Sequence, residues 1–64
     1  MRQLLTLEEV AELLRLPIKS LYRQRSLGEA PGALGIRVGR HVRFEPAALE
    51  AWISEQREAQ RAGA

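Results

Sequence analysis

Lys19, Ser20, Tyr22 and Arg23 fall within five consecutive residues, and Arg37, Arg40, His41 and Arg43 within seven. Each can donate a hydrogen bond, and most carry positive charge. A guanidinium forks onto phosphate oxygens or onto the O6 and N7 edge of guanine, and a hydroxyl, phenol, ammonium or imidazole adds single contacts. The chemistry these groups supply is the gripping of a polyanion. Bond-breaking chemistry lacks its parts: the chain has one histidine, no cysteine, no aspartate, and eight glutamates spread along its length. No nucleophile, base and acid can be assembled from these, and no metal-ligand cluster surrounds His41. Sixty-four residues also leave little material to wall off a substrate pocket. The expectation is a protein with no enzymatic activity, no cofactor, no metal and no small-molecule substrate.

Charge distribution points the same way. The net charge of +2 conceals a strong asymmetry. Residues 15–44 hold seven cations against Glu29 alone, a local +6, while the remainder holds three arginines against seven glutamates, a local −4. A basic centre between acidic flanks is the electrostatic footprint of a nucleic-acid binder. An ordinary surface of mixed charge is the alternative.

These residues need elements to position them. Thr6-Leu7-Glu8-Glu9 has the form of a capping box, with Leu5 and Val10 spaced as a hydrophobic staple. Leu7, Val10, Ala11 and Leu14 then recur at helical spacing, which predicts a first helix over about 7–14. Arg15-Leu16 is a turn. Pro17 opens a second helix over about 17–26, with Gly28 placed to end it. Two helices joined so tightly make a helix-turn-helix. On the second helix Leu21 and Ile18 point inward. Lys19, Arg23 and Ser26 lie opposite, with Ser20 and Tyr22 on the flanks. That outward face suits a major groove, although a solvated polar face would look similar. Arg25 lies closer to the inner side, its stem against Leu21 and its head free for a glutamate or a phosphate.

Residues 28–35 read as a loop, and residues 36–44 as a hairpin. Sidedness favours a three-residue turn, Gly39-Arg40-His41, which pairs Val38 with Val42 and Ile36 with Phe44 on one apolar face. Arg37 then stands opposite Arg43, an arrangement that makes sense beside an anion. Arg40 and His41 occupy the tip, in the geometry of a wing whose arginine can enter a minor groove. A purely structural hairpin with a polar tip is the alternative. Pro46 opens a third helix, on which Leu49, Trp52 and Ile53 share a face and Trp52 acts as a core anchor. The expected core is Leu5, Leu7, Val10, Leu14, Leu16, Leu21, Ile36, Val38, Val42, Phe44, Leu49, Trp52 and Ile53. One domain over residues 1–57 is expected, with 58–64 a frayed or disordered tail. The absence of cysteine, signal peptide and membrane-length apolar run suggests a soluble cytoplasmic chain.

The order helix, turn, helix, hairpin, helix is mainly α with a small β-hairpin. It resembles the MerR-like winged helix-turn-helix superfamily. Leu4-Leu5-Thr6-Leu7-Glu8-Glu9-Val10-Ala11-Glu12-Leu13-Leu14 is similar to the opening of its small members, which include phage excisionases. Leu16-Pro17, Ser20-Leu21-Tyr22-Arg23 and Arg25 resemble the recognition helix of the actinobacterial phage branch. Gly28, Pro31 and Arg37-Val38-Gly39-Arg40-His41-Val42-Arg43-Phe44 resemble its wing, and Leu49-Glu50-Ala51-Trp52-Ile53 its closing helix. The likeness covers about residues 4–54. Gln24 departs from it, because relatives often carry tryptophan or another apolar residue there. The resemblance implies an architectural protein of a bacterial host's cytoplasm that binds double-stranded DNA beside neighbouring copies of itself. It bends the duplex and directs a phage integrase, of tyrosine or serine type, toward excision. Lys19, Ser20, Tyr22 and Arg23 would face bases and phosphates, and Arg37, Arg40, His41 and Arg43 the flanking backbone and minor groove. The chain ends soon after the third helix, without the long dimerising helix and effector domain of MerR-type activators. A small transcription regulator would nonetheless use the same contacts. A protein-interaction module, such as an antitoxin or packaging subunit, would use Trp52 and the tail instead.

Overall fold

The computed structural model describes residues 2–63. In chain order the elements are β1 (Leu5–Thr6), α1 (Leu7–Leu14), α2 (Ile18–Leu27), a short 3-10 turn η1 (Gly32–Leu34), β2 (Ile36–Val38), β3 (His41–Phe44) and α3 (Pro46–Gly63). This is a mainly α winged helix-turn-helix, as the sequence predicts. The capping box forms: Glu9 N donates to Thr6 Oγ1 at 3.0 Å, and Thr6 N donates to Glu9 Oε1 at 2.8 Å. Two otherwise unpaired donors at the start of α1 are thereby satisfied. Arg15 closes α1 in the left-handed region at φ 55°, and Leu16 N returns to Ala11 O at 2.9 Å. The chain therefore reverses within three residues. Pro17 is the N-cap of α2 rather than its first helical residue, and Gly28 ends the helix at φ 73°, a backbone conformation that glycine adopts freely.

The sheet departs from expectation in two ways. First, Leu5–Thr6 forms a strand as well as a helix cap, pairing Leu5 with Phe44 and Thr6 with Arg43 in the strand order β1-β3-β2. Two residues are too few to show alternation. Second, the hairpin register is not the one that sidedness favours. The pairs are Ile36 with Arg43, Arg37 with Val42, and Val38 with His41, across a two-residue turn at Gly39-Arg40. Gly39 alone of these two has positive φ, at 64°. That is the pattern of a type II′ turn, whose twist matches that of the flanking strands.

The register has consequences for both faces. Ile36 and Val38 leave the expected core and stand 42% and 47% exposed. Arg37 does not oppose Arg43. It shares a face with Val42, whereas Ile36, Val38, His41 and Arg43 share the other. Sidedness fails because only β3 is covered. It packs on β1 and α1, while β2 is an edge strand of three exposed residues and need not present an apolar face.

The buried core is Leu7, Val10, Ala11, Leu21, Phe44 and Leu49, with Leu5, Leu14, Leu16, Ile18, Leu34, Val42, Trp52 and Ile53 packed around it. Trp52 is thus a half-buried wall of the core. The third helix does not stop where its apolar period does. It remains helical through Gly63, fully exposed from Ser54 onward. Its Ala, Glu, Gln and Arg residues favour helix without packing, and Arg61 pairs with Glu58 at 3.5 Å. The expected tail includes Ala64, which with Met1 lies outside the described residues.

Arg2 bridges to Glu50 on α3 at 2.7 Å. The hydrogen bond from Arg2, and then its charge, holds the Glu50 carboxyl below its ordinary value of 4.5. A depressed folded value contributes stability above the ordinary carboxylate range, and that contribution is lost as pH falls through the folded value. The pair is exposed, so the effect is small. Glu50→Gln is expected to remove it: thermal melts of variant and parent should differ slightly at neutral pH and converge in acid. A constant difference across that range would contradict this account of the pair.

Candidate nucleic-acid interface

Helix α2 is buried through Leu21, which has no exposed surface, and through Ile18 packed beside the core. The opposite side carries Lys19, Tyr22, Arg23 and Ser26 at i, i+3, i+4 and i+7, all exposed. One helix face therefore presents two cations, a hydroxyl and a phenol. Ser20 is half-buried on the flank toward Gln24, where Ser20, Arg23, Gln24, Glu29 and Ala30 line a shallow depression of about 350 Å³.

Tyr22 lies on the other flank, facing the hairpin. With Arg40, His41 and Arg43 it lines a depression of about 310 Å³, completed by Leu7, Glu8 and Val42. Segments far apart in the chain thus meet on one surface, with α2 on one side and the hairpin on the other. Arg40 sits in the turn and His41 at the start of β3, both exposed. Arg43 is half-buried, and its Nη1 donates to Val42 O at 2.8 Å. Arg37 alone of the hairpin cations predicted for the site lies on the other face. Glu8, from the first turn of α1, borders the depression.

The charges on this surface are unspent within the molecule. Among the described residues the ion pairs are Arg2–Glu50 and Arg61–Glu58, both in the acidic flanks. None of the seven cations between residues 15 and 44 is matched to a carboxylate. Cations outnumber the bordering Glu8 and Glu29 on this surface, which raises the local potential and attracts anions.

Two neighbours of this face serve structure. Arg25 reaches neither a glutamate nor an outward position. Its Nη1 donates to Gly32 O at 3.2 Å and Gly35 O at 3.1 Å. Gln24 accepts from Gly32 N through Oε1 at 2.9 Å. An apolar hollow lies elsewhere, between α1 and α3, about 450 Å³ lined by Leu5, Leu13, Leu14, Leu49 and Ile53 among others. It shares no residue with the cationic surface.

Two helices at a tight turn, the second carrying a cationic face that meets a basic hairpin, define a winged helix-turn-helix DNA-binding protein. Residues 4–57 match the family model described as a helix-turn-helix domain, and the chain belongs to that family. No curated protein and no solved structure matches it. Among the described residues, no helix is long and apolar enough to cross a membrane.

Proposed function

We propose that this chain is an architectural DNA-binding protein of the excisionase kind, acting in the cytoplasm of a bacterial host. The observation that carries the DNA-binding geometry is the depression shared by Tyr22, Arg40, His41 and Arg43. It brings the Tyr22 flank of α2 beside the hairpin tip. In this reading α2 enters a major groove, with Lys19, Ser20, Tyr22 and Arg23 toward bases and phosphates. Arg40, His41 and Arg43 follow the flanking backbone and minor groove. Arg37 belongs to the reading as a phosphate contact from the hairpin's other face. The finer role rests on the resemblance over residues 4–54: copies bind side by side at repeated sites, bend the duplex, and set an integrase running in the excisive direction. The protein itself breaks no bond.

A mobility-shift titration on attachment-site DNA tests this role. Several shifted species building up cooperatively are expected. A single species on one promoter-proximal site would replace excision by transcriptional control. A stable protein complex with little DNA affinity at physiological salt would replace both by a protein-interaction module.

A further inference from the structure

The recognition helix and the hairpin must meet one duplex at the same time, so their relative orientation matters as much as their charges. Little direct packing holds them together. Helix α2 packs chiefly on α1 and η1, while β3 packs on β1 and α1. Strand β2 is an edge with no neighbour except β3, and its remaining tether is its root at Gly35. That root is where the Arg25 head lands. One guanidinium nitrogen on α2 donates to the carbonyls of Gly32 and Gly35, the two ends of the segment leading into β2. The adjacent Gln24 side chain accepts the Gly32 N–H. The fit is close: a Cβ at Gly35 would lie 2.6 Å from Arg25 Nη1, 2.7 Å from Val42 Cγ1 and 2.9 Å from Phe44 Cζ. A Cβ at Gly32 would lie 2.5 Å from Leu21 O and 2.7 Å from Gln24 Cβ. Both glycines are thus required by close approach, the first to β3 and the Arg25 head, the second to the α2 backbone.

We infer that Arg25, assisted by Gln24, is a positioning residue for DNA binding: it locks the root of the hairpin to the recognition helix so that both engage the duplex in register. Arg25 touches no nucleic acid in this account. It faces inward, half-buried, and acts through the placement of β2 and of Arg40 in the turn that β2 leads into. Without it β3 remains tied to β1 and α1, so the fold persists while β2 and the Gly39-Arg40 turn lose their fixed placement relative to α2. The inference rests on the DNA-binding reading above and adds a coupling that exposed charge alone does not predict.

The test is a double-mutant cycle on the full chain. Arg25→Met keeps the aliphatic stem and removes the donors, and Arg40→Ala removes the wing contact. Affinity for a duplex is measured across salt concentrations for the parent, each single variant and the double, at a temperature where all retain the parental circular dichroism. Arg25→Met should lower the steepness of the salt dependence by about 1, as loss of one phosphate contact does. In that background Arg40→Ala should cost no more than about twofold further, because an unlocked wing has little left to lose. Arg25→Lys keeps the charge and reaches one carbonyl at a time, so it should fall between parent and Arg25→Met. It carries the same comparison should the methionine variant fail to fold. Full salt dependence in the Arg25 variant, with Arg40→Ala costing the same factor in both backgrounds, would overturn the inference and leave DNA binding intact. Absence of binding by the parent would overturn the DNA-binding reading and the coupling together.

Discussion

Phe44→Ala should remove from about a third to all of the folding stability of this domain. Phe44 is 1% exposed and is the largest fully buried side chain. It pairs with Leu5 across β1 and β3, packs over Gly35 at the root of the hairpin, and joins the cluster of Leu7, Val10, Ala11, Leu21 and Leu49. Phe44 thereby ties the N-terminal strand, the helices and the wing together. Truncating a buried phenylalanine costs about 3–5 kcal/mol. A domain of this size has roughly 3–10 kcal/mol in total, at about 0.05–0.15 kcal/mol per residue. The variant should show a melting midpoint lowered by roughly 12–40 °C, at about 4–8 °C per kcal/mol, and a reduced far-ultraviolet helical signal on mild warming. Saturating duplex DNA should restore part of that signal, because a ligand that binds only the folded state stabilises it. A midpoint near that of the parent would contradict the place given to Phe44.

The second large effect falls on binding. Arg23→Ala and Arg40→Ala together should weaken duplex affinity by at least tenfold at moderate salt, with each contact contributing about 1–3 kcal/mol or one counterion's worth of salt dependence. Arg23 stands on the exposed face of α2 and Arg40 at the hairpin turn, and neither is paired within the chain. Their loss should therefore leave the thermal melt nearly unchanged. Lys19→Ala should act in the same direction. Glu55→Gln, on the exposed part of α3, is the control and should not weaken binding. Glu50 is unsuitable for that purpose because it holds Arg2. Equal tolerance of all these substitutions would mean that another surface meets the DNA.

The sequence reveals elements wherever short-range chemistry decides. Thr6 and Glu9 announce the start of α1 through spacing alone, and both capping bonds form. Gly28 and Pro46 likewise mark the helix boundaries. The hairpin is harder, because two rules compete. Apolar sidedness points to a three-residue turn, whereas turn chemistry at Gly39-Arg40 points to two residues, and the turn wins because β2 has nothing to cover. That one-residue difference turns Ile36 and Val38 outward and separates Arg37 from Arg43. The strand at Leu5–Thr6 was not legible because its partner β3 is distant in the chain, and the inward bonds of Arg25 and Gln24 were not because they depend on how the loop after α2 folds back onto it. The α2 face was legible from helical period, but its meeting with the wing at Tyr22 required the tertiary structure.

Fluorescence anisotropy of a labelled mixed-sequence duplex, titrated with the purified chain over a series of salt concentrations, addresses the shared surface most directly. Neutralising about 4–6 phosphates predicts that log K falls linearly with log salt at a slope of roughly −4 to −5, with or without a specific site. A chain that leaves the duplex unbound at low salt, or binds it with no salt dependence, would contradict a cationic helix-and-wing grip.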